Sequence, residues 1–246
     1  MSSSINSKAF LEVDDKKNIR KFQLTPINGL KITIDDFIKI IEENYSKWTI
    51  PIVTLISNRG ATPFQVLVST ILSLRTKDQV TAMASNRLFE VARTPREILA
   101  LDKEIVKKLI YPVGFYPTKA RQLQEISRII IKEYGGNVPN EIDELLKLPG
   151  VGRKTANLVL IEGFQKPAIC VDTHVHRVSN RIGYVKTKTV DKTEAALRKK
   201  LPLRHWIRFN EFLVAFGQSI CKPISPLCSN CPINHACPKI GITKSR

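Results

Sequence analysis

The sequence predicts a mainly α-helical protein assembled from many short helices. Three observations carry that expectation. Apolar residues recur at helical spacing from Ile34 to about residue 220, and the breaks between periodic segments are short and rich in Pro, Gly or polar residues. Nothing after residue 35 alternates as a series of strands.

Along the chain, residues 1–30 read as an N-terminal extension. The stretch FQLTPINGLKITI places Asn28-Gly29 between β-branched residues, which suits a small hairpin, with a flexible arm as the competing expectation. Helix begins at Ile34, where Phe37, Ile40, Ile41 and Tyr45 share a face and Thr33 or Asp35 is placed to cap. Further helices are expected at 64–73, 77–91, 95–99, 103–110, 117–134, 141–147, 153–164, 173–181, 191–200 and 205–220. Thr94-Pro95 and Pro139-Asn140 mark helix starts, and Asp191 stands three residues before Glu194 at capping-box spacing. No internal repeat or low-complexity tract interrupts this order.

With 246 residues, 43% of them hydrophobic, the chain can bury a substantial core, which argues against wholesale disorder. Its 39 Lys and Arg against 22 Asp and Glu leave a formal charge of +17, a surplus that favours a polyanionic partner. A generally basic surface is the plainer alternative. No apolar run approaches the ~20 residues of a membrane span, since Phe64–Leu74 is short and broken by Gln65, Ser69, Thr70 and Ser73. The start MSSSINSKAF lacks the basic-then-apolar pattern of a secretory signal, and Glu12, Asp14 and Asp15 argue against an Arg-rich presequence. A soluble protein of the cytoplasm or nucleus is expected.

The first chemical constellation is Leu148-Pro149-Gly150-Val151-Gly152-Arg153-Lys154-Thr155-Ala156, between two helical segments. Two glycines around one apolar residue permit a tight hairpin with outward N–H groups, and the following helix presents its positive end at the turn. Together these make a phosphate seat. A plain connector is the alternative, but the basic pair that follows, in so basic a chain, points to the DNA backbone. Lys154 falls in the first turn of the helix. The helix dipole, Arg153 and partial burial would each disfavour its charge and favour a nucleophilic amine; a solvated phosphate-binding lysine is the competing role.

Val171-Asp172-Thr173-His174-Val175-His176-Arg177 follows. Asp172 directly before a helix start suits an N-cap, and equally a carboxylate that offsets developing positive charge. His174 and His176, two apart, do not share a helical face and are not read as a metal pair. The third constellation is Cys221-x6-Cys228-x2-Cys231-x5-Cys237, interleaved with prolines. Four thiolates so spaced describe a loop around a metal. The uneven spacing suits a cubane iron–sulfur cluster better than a zinc ribbon, although zinc stays open. Cys170 stands apart and is expected to be a small buried hydrophobe.

LPGVGRKTAN, then VDTHVHR, then C-x6-C-x2-C-x5-C together resemble the endonuclease III family of DNA glycosylases/AP lyases, within the helix-hairpin-helix–Gly/Pro–Asp superfamily. The resemblance spans residues 34–240. It implies two helical domains flanking a DNA-binding cleft. One is a six-helix barrel at 56–166 containing the helix-hairpin-helix at about 141–164. The other is a discontinuous domain of 31–55 and 167–246 that carries a 4Fe–4S cluster on Cys221, Cys228, Cys231 and Cys237. Lys154 aligns with the catalytic lysine and Asp172 with the catalytic aspartate. Gly150, Val151, Gly152 and Arg153 fall at the DNA backbone.

The implied activity is excision of oxidised pyrimidines from double-stranded DNA, with cleavage at the abasic site, by a monomer that uses no membrane. Lysine attacks C1′, a Schiff base forms and β-elimination nicks the strand. Ser73-Leu74-Arg75-Thr76-Lys77-Asp78 resembles the segment that fills the gap left by a flipped base, with Arg75 where the family commonly has Gln. Phe115 stands where a second wedge is often Leu, and a core plug is its alternative. A mismatch or oxidised-purine glycosylase of the same superfamily, and a non-catalytic iron–sulfur DNA-binding module, are the competing functions; Lys154 and Asp172 together speak against the second.

Overall fold

The computed structural model describes residues 32–246, so the hairpin or arm expected before residue 31 lies outside the described residues. Twelve α-helices follow one another, with no strand among the described residues: α1 (Ile34–Tyr45), α2 (Ile52–Asn58), α3 (Pro63–Ser73), α4 (Asp78–Val91), α5 (Pro95–Ala100), α6 (Lys103–Ile110), α7 (Tyr116–Tyr134), α8 (Ile142–Leu145), α9 (Arg153–Phe164), α10 (Thr173–Arg181), α11 (Val190–Lys200) and α12 (Trp206–Ser219). A single 3-10 turn, Leu203–His205, leads into α12. None of these helices is long and apolar enough to cross a membrane.

Local chemistry explains most boundaries. Thr33, Thr62 and Thr94 each cap a helix and close a capping box with Asp36, Gln65 and Glu97 respectively, and Pro63 and Pro95 occupy first-turn positions where a missing N–H costs nothing. The start of α11 differs from expectation. Thr189, not Asp191, accepts from the Lys192 N–H, so the helix begins at Val190 and Asp191 lies in its first turn. The segment at 141–147 is helical only over Ile142–Leu145, because the chain tightens into three-residue bonds, Lys147 N–H to Glu144 O and Leu148 N–H to Leu145 O, ahead of Pro149. Helix α2 was not expected at all. Its β-branched run Ile52-Val53-Thr54 lowers local helix propensity, and packing on α3, α4 and α9 decides the outcome.

Buried apolar residues fall into two clusters. The first gathers α2 to α9 around α3, whose Phe64, Val66, Leu67, Val68, Ile71 and Leu72 are all buried. Ile52 and Val53 belong to it, which draws the packing N-terminal to residue 56. The second gathers α1, α10, α11 and α12 around Phe37, Ile41, Phe209, Phe212 and Phe216. The segment between α9 and α10 runs along both. Ala168 and Cys170 enter the first cluster while Ile169 and Val171 enter the second, the two-residue alternation of extended chain. The seam therefore carries the start of α9 from one side and the start of α10 from the other.

Candidate active site and cysteine loop

The hairpin before α9 is built by close approach. Gly150 adopts φ +71°, which strains any residue with a side chain, and a Cβ there would lie 2.8 Å from Gln122 Cδ and force that side chain aside. Gln122 in turn donates Nε2–H to Pro149 O at 2.8 Å, tying the hairpin to α7. The Val151 N–H turns inward to Leu148 O at 3.1 Å and its side chain is buried, so Val151 does not add the outward donor the motif suggested. Gly152 caps α9 with extended backbone and no side-chain hydrogen bond, leaving the first-turn N–H groups of α9 without a protein cap.

The two basic residues after the hairpin separate. The Arg153 guanidinium forks onto Glu194 of α11, Nε to Oε2 at 3.2 Å and Nη2 to Oε1 at 2.5 Å. Arg198 and Asn157 complete that network, with Arg198 Nε on Glu194 Oε1 at 2.9 Å and Arg198 Nη2 on Asn157 Oδ1 at 3.0 Å. The buried carboxylate attracts both arginines, so Arg153 braces α9 against α11. Lys154, one residue on, is exposed, against the partial burial expected of it, and lines an open cavity of about 450 Å³.

Asp172 is the N-cap of α10. Its Oδ1 accepts from His174 N at 2.8 Å and Val175 N at 2.9 Å, while Oδ2 has no hydrogen-bond donor among the described residues. One oxygen of this half-buried carboxylate is thus spent on the cap, and the other is left without a donor. Cys170 is buried beneath this seam. Its thiol, pushed up by burial, donates to Lys154 O at 3.5 Å, and the charges of Lys154 and Asp172 both reach it. His176 binds Thr193 Oγ1 at 2.6 Å and His174 Nδ1 lies 3.1 Å from Arg177 Nη2, so the two histidines serve separate contacts.

The remaining walls of the cavity are Ser73, Leu74, Arg75, Phe115 and Lys119. Arg75 and Phe115 both hold left-handed backbone, φ 54° and 58°, and both are exposed; Phe115, at 61%, is not a core plug. The Arg75 guanidinium carbon lies 5.7 Å from the Phe115 ring centroid, a cation–π approach. Lys119 was missed from sequence. It is 5% exposed and donates to Leu72 O at 3.0 Å, Leu74 O at 2.5 Å and Thr76 Oγ1 at 3.3 Å. The available signal was its register, since Lys119 shares the buried stripe of α7 with Leu123, Ile126 and Ile130.

Cys221, Cys228, Cys231 and Cys237 line one cavity together with Ile182, Phe216 and Ile220. Burial pushes the Cys231 thiol up to about 12, and the charges of Cys237, Cys221 and Cys228 push the same way. Arg181 Nη1 lies 3.6 Å from Cys221 Sγ, a cation at the edge of the group. No three His, Cys, Asp or Glu side chains among the described residues converge on a single-ion point. Four soft sulfur donors in a largely apolar lining with cationic support are a donor set that fits an iron–sulfur cluster.

Comparison with known proteins places these features in context. Residues 68–203 match the family described as HhH-GPD superfamily base excision DNA repair protein. Endonuclease III of Thermotoga maritima is 53% identical over 181 residues, covering 74% of this chain and 85% of that protein. Endonuclease III of Bacillus subtilis is 42% identical over 176 residues, covering 71% and 80%. Among solved structures, a non-covalent endonuclease III–DNA complex aligns with TM-score 0.73 and 36% identity, covering 85% of this chain and 96% of that one. A trapped endonuclease III–DNA covalent intermediate aligns with TM-score 0.70 and 35% identity, covering 85% and 97%.

Proposed function

Because the chain belongs to the endonuclease III family of helix-hairpin-helix base excision repair proteins, we propose that it removes oxidised pyrimidines from duplex DNA and cleaves the strand at the resulting abasic site. The observation that carries this reading is Lys154 on the wall of a 450 Å³ cavity whose other edge is Arg75 and Phe115. A flipped nucleoside occupies such a cavity, and a side chain that takes its place in the stack belongs on the same rim.

In this reading Lys154 attacks C1′ with the lone pair of its neutral amine. The bond from C1′ to the base breaks; the base leaves with that bond's electron pair and takes up a proton, balanced by the one the attacking nitrogen of Lys154 releases. The carboxylate of Asp172, with only one oxygen spent on capping α10, would offset the cationic sugar character that develops as this bond breaks. Ring opening gives a Schiff base on Lys154, a proton leaves C2′, and the 3′ phosphate departs. The Gly150–Gly152 hairpin and the uncapped start of α9 hold the DNA backbone, with Arg153 reserved for bracing.

Cys221, Cys228, Cys231 and Cys237 would hold a 4Fe–4S cluster, which when bound cross-links the C-terminal loop through iron–thiolate bonds. The two apolar clusters support a barrel that begins with α2 at residue 52 rather than 56 and runs to about 166, and a discontinuous domain formed by the chain before residue 52 and by 167–246. A monomer in a reducing cytoplasm or nucleus suits both the exposed cavity and the thiolates. The test is strand nicking at an abasic site in duplex DNA. Lys154→Ala should abolish nicking while leaving DNA binding within a few-fold of wild type; undiminished nicking would sink the assignment.

A further inference from the structure

The excision chemistry leaves one buried cation unused. Lys119 is an ammonium on the apolar stripe of α7, and each of its three N–H groups has an acceptor on the segment that ends α3. Leu72 O is among the last carbonyls of α3, which lack helical partners and form the negative end of the helix dipole. A cation brought to that end from another helix closes it. Burial pushes Lys119 down to about 8, while three oxygen acceptors around one nitrogen suit its charged form.

The same segment is tied to the turn before α7 from a second direction. Thr76 Oγ1, already bonded to Lys119, accepts from Gly114 N at 3.1 Å. A Cβ on Gly114 would lie 2.6 Å from Arg75 O, so the two turns touch backbone to backbone. Each turn then releases one left-handed, exposed residue, Arg75 from the first and Phe115 from the second. Left-handed backbone at Arg and Phe is strained and persists only where surrounding bonds hold it.

We propose that Lys119 is a positioning residue which, with Thr76 and Gly114, locks the two turns together so that Arg75 and Phe115 act as one preassembled wedge. The proposal rests on the repair reading above, because a wedge has work to do only where a base has left the stack. Neither residue then has to find its place after the base flips, so the ordering cost falls before binding. Lys119 reaches the cavity wall with all three N–H groups already bonded, and acts through the carbonyls of Leu72 and Leu74 and the hydroxyl of Thr76.

The experiment is a double-mutant cycle of Lys119→Met and Arg75→Ala on duplex DNA carrying an oxidised pyrimidine, read as single-turnover excision. The fluorescence of 2-aminopurine opposite the lesion reports insertion of the wedge. Each single variant should lose about tenfold or more in excision and the insertion signal, and the double variant should be no worse than Arg75→Ala alone. Independent, multiplying losses, or an intact insertion signal in Lys119→Met, would overturn the proposal. Should Lys119→Met fail to fold, Thr76→Val removes the hydroxyl that joins the two turns while keeping the lysine, and the same non-additivity with Arg75→Ala is required. If wild type itself neither excises nor nicks, the repair reading has failed rather than the wedge.

Discussion

Replacing Glu162 with Gln should flatten the dependence of stability on pH near neutrality. Glu162 lies on α9, 8% exposed, with Oε1 accepting from Thr54 Oγ1 at 2.6 Å. Burial raises its carboxyl from the ordinary 4.5 to about 7, and the charge of Glu211 pushes the same way, against the hydrogen bonds from Thr54 and Ser57. An acid raised in the folded state keeps a proton that the unfolded chain has already released between those two values. Its contribution is therefore intact below pH 4.5 and lost as pH rises through about 7. At 1.36 kcal/mol per pH unit, the loss by pH 8 is about 3 kcal/mol.

The amide introduced by Glu162→Gln cannot titrate, yet its oxygen keeps the acceptor for Thr54. Its N–H groups need acceptors of their own, so the slope rather than the absolute stability is the readout. Other groups do not mimic the effect. Asp35, held low by its bond to Arg204, titrates beneath this window. His174, held low by burial, contributes with the opposite sign, lost as pH falls, and is common to both proteins. Urea midpoints of wild type and Glu162→Gln between about pH 5 and pH 8 measure the difference. The two curves should diverge by about 2.5 kcal/mol across that range, with wild type losing more as pH rises. Parallel curves would refute the reasoning, because Glu162 would then ionise in the fold as readily as in the unfolded chain.

Two further outcomes follow from the hairpin. Gly150→Ala should destabilise by about 2 kcal/mol, combining left-handed strain with displacement of the Gln122 bond to Pro149 O. Adding Gln122→Ala should relieve the collision but not the strain, and purely additive losses in urea unfolding would contradict that division. Arg153→Ala should cost about 1 kcal/mol of stability, since its half-exposed guanidinium serves Glu194, and should leave the salt slope of DNA binding unchanged. A slope smaller by about one phosphate contact would return Arg153 to the DNA backbone.

The legible parts of this protein were those governed by local rules. Helices with an apolar stripe and a capping threonine, such as α1 and α5, stand where their periodicity put them. Three motifs distant in sequence were also legible because each serves a geometric need, as Gly150 does beneath Gln122 and Asp172 at the head of α10. What escaped depends on neighbours far along the chain. Helix α2 forms against its propensity because α3 and α9 cover it. The fork of Arg153 onto Glu194 went unseen because that buried carboxylate lies 41 residues later in the chain. Lys119 went unseen because a lysine on an apolar stripe gains meaning only once the carbonyls that end α3 are brought to it.

The central claim is that Lys154 forms a covalent bond with the sugar, and borohydride tests it most directly. Added to the protein on duplex DNA carrying thymine glycol, borohydride reduces any Schiff base to a permanent link whose position is mapped by peptide mass spectrometry. A trapped adduct on Lys154, and none with Lys154→Ala, is the expected result. Base release without an adduct would contradict it, because water rather than Lys154 would then be the attacking group.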